Sequence, residues 1–128
     1  MTLRALFVIA LTLVASASRA SDELIISDAW VRATPPGKMM TAGYASIENV
    51  SKDVVTITGV SAEVAGHTSI HETRIERDRS TMRPVTELSI KAGERVSLEP
   101  GGLHIMLMKL SEPLSDGQSI DICLELEN

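Results

Sequence analysis

Short segments of alternating apolar and polar residues, separated by glycine- and proline-containing turns, run along most of the chain. The clearest alternation lies at residues 120–127, where Ile120, Ile122, Leu124 and Leu126 share one face and Cys123 falls on the other. The same kind of pattern predicts strands at residues 24–32, 41–49, 54–61, 67–73, 81–85, 88–90, 95–98 and 103–110. No segment of helix length has a 3.6-residue apolar period. The pattern therefore predicts a single all-β domain, a sandwich or barrel with Greek-key connections.

The strand at residues 103–110 follows a Pro-Gly-Gly turn and separates two kinds of side chain. Leu103, Ile105, Leu107 and Lys109 are predicted on one face, and His104, Met106 and Met108 on the other. An imidazole and a thioether two residues apart suit a soft metal ion, because thioether sulfur favours Cu(I). A simpler interpretation is that the methionines fill the core and His104 is a partly buried structural residue.

The first twenty residues have the features of a secretory signal peptide. Arg4 gives a short basic start, residues 5–14 are apolar, and small residues precede a predicted cleavage after Ala20, with Ala17 as the alternative site. The mature domain is then residues 21–128. The apolar run is too short to span a bilayer and no second one follows, so stable membrane insertion is not expected. No cysteine lies near the cleavage site, so a lipid-anchored product is not expected either.

The composition of the mature chain narrows the function further. It carries ten basic and seventeen acidic residues, and this net negative charge argues against nucleic acid or anionic membranes as partners. Cys123 is the single cysteine, so no internal disulfide is possible. Trp30 and Tyr44 are the two mature aromatic residues, against five methionines, which suggests that some methionines do more than pack.

Four histidine and methionine residues stand out by their spacing: His71, ten residues, Met82, twenty-one residues, His104, one residue, Met106. This spacing and several flanking motifs resemble the periplasmic copper chaperone family PCuAC over most of the mature chain. The flanking motifs are the segment 28–37 (DAWVRATPPG), Ile70-His71-Glu72, Met82-Arg83-Pro84-Val85 and the segment 100–108 (PGGLHIMLM).

The resemblance implies a cupredoxin-like β-sandwich that binds one Cu(I) through His71, Met82, His104 and Met106. It also implies a periplasmic monomer that delivers copper to cytochrome c oxidase, with subunit II or a thiol-type assembly factor as the accepting protein. The chain differs from many members of the family in having Glu72, Thr73 and Arg74 where a methionine often follows the first histidine. His67 is a spare candidate ligand, although a structural or solvated role is favoured for it.

Other functions remain open from the sequence. An electron-transfer cupredoxin needs a cysteine ligand beside two histidines, whereas Cys123 is predicted to face outward and far from both. A metal-free adaptor module of the cell envelope is a second alternative. No Ser/His/Asp grouping, zinc-type Cys/His cluster or phosphate-binding glycine loop is present, so an enzyme is not expected.

The segment between His71 and Met82 is predicted to be a polar hairpin loop, residues 74–81. Its arginines, together with Arg83, predict a locally basic rim beside the metal site. Such a rim would steer docking to an acidic accepting surface, and a solvated loop without a docking role is the alternative.

Overall fold

Nine β-strands in two antiparallel sheets make up the computed structural model, which describes residues 23–127. The strands are β1 Leu24–Val31, β2 Thr41–Asn49, β3 Val55–Ser61, β4 Ala65–Glu76, β5 Arg79–Val85, β6 Leu88–Ile90, β7 Arg95–Leu98, β8 Leu103–Leu110 and β9 Cys123–Leu126. The predicted signal peptide, residues 1–20, lies outside the described residues. No helix in the described part of the chain is long and apolar enough to cross a bilayer. The predicted all-β fold is confirmed.

The larger sheet has the strand order β1-β2-β8-β4-β5, and β7 also pairs with β2. The smaller sheet has the order β6-β3-β9. Strands β2, β8 and β4 are neighbours in the larger sheet although they are far apart in sequence. This arrangement brings the segment around residue 104 directly beside the segment around residue 71.

The core lies between the two sheets and is almost entirely aliphatic. Ile70 of β4, Ile105 and Leu107 of β8 and Ile47 of β2 face Ile57 and Ile90 of the smaller sheet. Since side chains alternate along a strand, the residues between them point to the opposite, outer face of the larger sheet. His104, Met106 and Met108 lie on that outer face, as the alternation predicts.

The predicted loop at residues 74–81 is wrong, because most of it belongs to a long hairpin. Strand β4 continues to Glu76, β5 begins at Arg79, and only Arg77 and Asp78 form the turn. Both turn residues have positive φ, 49° and 63°, as a two-residue hairpin connection requires to match the strand twist. Polar composition suggested a loop, but cross-strand charge pairs stabilise strands of this kind.

Two further predictions fail at strand ends. Lys109 does not join the inner face, because its φ of 51° distorts the strand and leaves it exposed while Leu110 becomes buried. Gly66 lies beside this distortion, and a Cβ there would stand 2.9 Å from the Cβ of Lys109. The last strand covers only Cys123–Leu126 instead of residues 120–127. Cys123 is exposed, as predicted.

Asn49 joins the end of β2 to the smaller sheet. Its side chain is fully buried, and its amide nitrogen donates hydrogen bonds of 2.8 Å to the carbonyl oxygens of Asp53 and Ile90. Its amide oxygen accepts hydrogen bonds from the backbone N–H and the hydroxyl of Ser51, at 3.0 and 2.7 Å. All the donors and the acceptor of this buried amide are therefore satisfied.

We expect Asn49→Ala to destabilise the protein by about 2 to 4 kcal/mol, because the substitution leaves several buried polar groups without partners. Ser51→Ala is the matched control and should cost about 1 kcal/mol, since it removes only the hydroxyl. Urea unfolding measures both. An Asn49→Ala protein within about 0.5 kcal/mol of wild type, the range of ordinary surface substitutions, would contradict this role.

Candidate metal centre

Two histidines from different strands lie directly opposite each other on the outer face of the larger sheet. In the antiparallel pairing of β4 with β8, His71 is the register partner of His104. Their ring centroids are 6.1 Å apart and the ring planes are inclined by 38°. The sheet topology thus brings together two histidines that are far apart in the sequence.

His104 is held in one orientation and one tautomer. It is 4% exposed, and its Nδ1 lies 3.0 Å from the carbonyl oxygen of Gly102. A carbonyl can only accept, so Nδ1 carries the proton and Nε2 keeps its lone pair. Nε2 is buried and has no hydrogen-bond partner. Metal-binding histidines usually donate one ring N–H to a carbonyl or carboxylate and bind the metal through the other nitrogen. His104 has this arrangement.

The turn before β8 supplies the carbonyl that orients His104. The amide of Gly102 donates to the carbonyl of Glu99 at 3.0 Å, and Gly101 between them has a φ of 86°. Proline at the second position and glycine with positive φ at the third are typical of a type II turn. The Gly102 carbonyl also accepts from the amide of Thr73 at 3.1 Å, so the turn is tied to β4.

His71 has a complementary arrangement. Its Nε2 lies 2.8 Å from the hydroxyl of Ser69, while its Nδ1 is buried and has no partner. Burial lowers the pKa of His71, and the nearby His104 and His67 lower it further by charge repulsion. The neutral imidazole, which is the form that binds a metal, is therefore favoured.

The two predicted methionine ligands lie on the same outer face. Met106 is the register partner of Ser69, one step along β8 from His104. Met82 is the partner of Thr73, which is two residues beyond His71 on β4. Met82 is therefore the diagonal neighbour of His71, at a Cα separation of about 7 to 8 Å that a long side chain can bridge. The register places all four predicted residues on adjacent steps of three neighbouring strands.

The four side chains differ strongly in their access to solvent. His104 is buried, His71 and Met106 are half-buried, and Met82 is 60% exposed. His104 therefore forms the buried end of this group of side chains, and Met82 forms the end that is open to solvent.

The types of donor atom on this face indicate which metal ions suit the site. Within residues 23–127, no group of three or more His, Cys, Asp or Glu side chains is arranged to hold a metal ion, so the usual ligands of zinc, calcium or magnesium are not assembled there. Two imidazole nitrogens without partners and two thioethers favour a soft ion such as Cu(I). Cys123, on β9 of the other sheet, is not on this face.

Strand parity predicted Ser69 on the face of His71, but sequence reasoning missed its hydrogen bond to the His71 ring and the hydrogen bond of His104 to the Gly102 carbonyl. Ser69 precedes His71 by two residues, so strand parity alone places it on the same face. The pairing of Gly43 with Ile105, continued by one residue, places Tyr44 level with His104, and no local sequence pattern reveals that placement. Trp30 stacks on Tyr44 with ring centroids 4.5 Å apart, which extends the outer face with aromatic surface.

Of the four arginines predicted to form a basic rim, Arg77 lies in the hairpin turn, and the other three are not on the site face. Arg74, Arg79 and Arg83 occupy the alternate positions of the hairpin, which point to the other side of the sheet. There Arg83 pairs in register with Glu72, and Arg79 with Glu76. Arg74 lies 3.4 Å from Glu72. Glu72 and Glu76 thus lie beside these three arginines and offset part of their charge.

Comparison with known proteins agrees with this description. The family model "Putative lipoprotein LpqE-like" matches residues 24–128. A curated relative, "Putative lipoprotein Lxx21020" of Leifsonia xyli subsp. xyli, is 34% identical over 109 residues. That alignment covers 84% of this chain, which spans 64% of the length of the relative.

Three solved structures have a similar fold. The apo PCuAC domain of PmoF1 has a TM-score of 0.68 at 22% identity, over 82% of this chain and 83% of that one. The copper-bound PCuAC domain of PmoF2 also has a TM-score of 0.68, at 20% identity and 82% coverage of both chains. The Cu(I) form of DR1885 from Deinococcus radiodurans has a TM-score of 0.66 at 28% identity, over 87% of this chain and 74% of that one.

The resemblance to PCuAC proteins seen in the sequence is confirmed by these neighbours, and with it the cupredoxin-like sandwich. The family match covers residues 24–128 of this 128-residue chain. The protein belongs to the LpqE-like family and has the fold of the PCuAC copper-chaperone domains.

Proposed function

We propose that residues 21–128 form a copper-binding domain that carries one Cu(I) and passes it to another protein outside the cytoplasm. The observation that carries this proposal is the pair of opposed histidines whose buried ring nitrogens have no hydrogen-bond partner. An unpartnered buried nitrogen is costly unless something binds it. Met82 and Met106 on the same face supply soft donors beside it.

Cu(I) fits this ligand set better than other ions. Thioethers bind it well and need no deprotonation, and neutral imidazole accepts copper readily. Copper-bound forms of PmoF2 and DR1885, which share the fold, support the same cargo for this chain. His104 would bind through Nε2 and His71 through Nδ1, with Met106 and Met82 as the sulfur ligands.

Solvent exposure rises from His104, which is buried, to Met82, which is exposed. This difference favours a carrier over a permanent cofactor site. A carrier must release its ion to a partner through exchange of ligands, one at a time. Met82, 60% exposed on the hairpin, is the ligand that an incoming protein reaches first. An electron-transfer role is disfavoured because the single cysteine lies on the other sheet, and no catalytic role is proposed.

We infer that the accepting protein offers thiolate ligands, as a thiol-type assembly factor or subunit II of cytochrome c oxidase would. Thiolate is the stronger soft ligand, so transfer from thioether and imidazole to thiolate is downhill. The predicted signal peptide and the lipoprotein names of its relatives support an exported, periplasmic protein. A monomer satisfies the proposal, since all four ligands come from one chain.

We expect His104→Ala and Met82→Leu each to weaken Cu(I) binding by about 10-fold to 100-fold or more, as loss of even an outer-sphere contact costs that much in other sites. Anaerobic competition against a chromogenic Cu(I) chelator measures the affinity. Met39→Leu is the matched control, an exposed methionine outside the ligand set. Affinities of the first two variants within twofold of wild type would contradict the ligand assignment. Absence of Cu(I) binding by the wild type would favour the metal-free adaptor.

The lowered pKa of His71 gives a prediction about pH. In the metal-free protein, His71 should take up a proton only below the ordinary midpoint of about 6.5, so its neutral, copper-binding form is lost as pH falls and not as it rises. His67→Asn removes one of the repelling charges and should raise the His71 midpoint. NMR titration of the imidazole signals tests both statements. A His71 midpoint at or above the ordinary value, or no response to His67→Asn, would contradict them.

Transfer itself can be tested with the copper-loaded protein and a metal-free thiol acceptor domain. We expect the copper to move to the acceptor, and Met82→Ala to change the transfer rate more than Met39→Ala does. Retention of copper by the carrier at equilibrium would contradict delivery to a thiolate site.

A further inference from the structure

A second set of soft donors lies on the same outer face, further along β4 and β8. His67 is the register partner of Met108. Met40 immediately precedes β2, and the pairing of Thr41 with Leu107, continued by one residue, places it beside Met108. We propose that His67, Met108 and Met40 form a second binding site for a monovalent soft metal ion, Cu(I) or Ag(I).

Strand geometry places this group close to the first site without merging it with the first. His67 and His71 are four residues apart on β4, which corresponds to about 13 Å along the strand. The hydrogen bond from the Leu110 amide to the Met39 carbonyl, 3.0 Å long, holds the Met40 segment alongside β8. The positive φ of Lys109 bends the strand directly after Met108. The His67 and Met108 pair is therefore the last regular step of this ladder.

The chemistry of the group is that of a soft site with open access. Its donors are one imidazole and two thioethers, all neutral in the binding form, and this combination suits Cu(I) or Ag(I) over zinc, magnesium or calcium. His67 is exposed, Met108 is half-buried and Met40 is 42% exposed. Within the described residues, the His67 ring makes no side-chain hydrogen bond, so its nitrogens are available. Greater exposure and fewer donors should make this site weaker than the first.

Met106 lies between the two groups and connects them. Counted along β8, a soft donor occupies every second residue: His104, Met106 and Met108. Successive positions on this face are about 7 Å apart. An ion that first binds at the exposed end can move toward the buried histidines through Met106. The second site would thus be a loading position, a role that rests on the proposed copper site, whereas the site itself is argued from the register of β4 and β2 with β8.

The test is a titration of the metal-free protein with Ag(I), a redox-inert substitute for Cu(I). NMR of the methionine methyl groups, assigned with single Met→Leu variants, follows each equivalent, and native mass spectrometry counts the ions. We expect the first equivalent to shift Met82 and Met106 and the second to shift Met108 and Met40. The double variant His67→Asn/Met108→Leu should bind one ion, with its first-site affinity within about twofold of wild type. Met39→Leu, equally exposed at 43%, should still bind two.

The two proposals fail in different ways in this experiment. A wild type that binds one ion, with Met108 and Met40 unmoved, overturns the second site and leaves the first intact. A second ion retained by His67→Asn/Met108→Leu also overturns it. A His104→Ala/Met106→Leu protein that still binds one ion at Met108 supports the second site independently of the first.

Discussion

The antiparallel register between β4 and β8 is the constraint on which the site depends. It places His71 opposite His104 and Ser69 opposite Met106, and a slip of one residue would send one strand's donors into the core. The register is fixed from the other side of the sheet, where Ile70 and Ile105 are paired and buried. The aliphatic core thus determines which side chains form the proposed metal site, because burying one face of each strand decides which residues meet on the other.

The register brings the two histidines together, and hydrogen bonds to their surroundings then fix the orientation of the His104 ring. The carbonyl of Gly102 fixes the tautomer of His104, and the type II turn that presents this carbonyl is also bonded to β4 through Thr73. His104, the proposed inner ligand, is therefore held in place, whereas Met82 lies on an exposed hairpin. A rigid buried ligand retains the ion and an exposed ligand allows its exchange, and a carrier needs both properties.

Much of this fold was accessible from the sequence, because alternation is a local property. Strand β2 and strand β8 were predicted with their full bounds, and the outward direction of His104, Met106 and Cys123 followed from parity.

The hairpin at residues 74–81 was predicted wrongly because cross-strand pairs such as Glu72 with Arg83 are not visible locally. For the same reason the arginines were assigned to the wrong face. The burial of His104 and its position opposite His71 depend on the order of strands in the sheet, which no single segment encodes. The four residues of the proposed copper site were identified from a family resemblance, and the register brings them to one face.

The central claim is that two ring nitrogens and two thioether sulfurs hold one copper ion. X-ray absorption at the copper edge of the protein loaded with one equivalent of Cu(I) tests it most directly. We predict a monovalent edge and a first shell of both nitrogen and sulfur, with the sulfur contribution reduced in Met82→Leu and in Met106→Leu. A first shell of nitrogen and oxygen alone, unchanged in both variants, would contradict it.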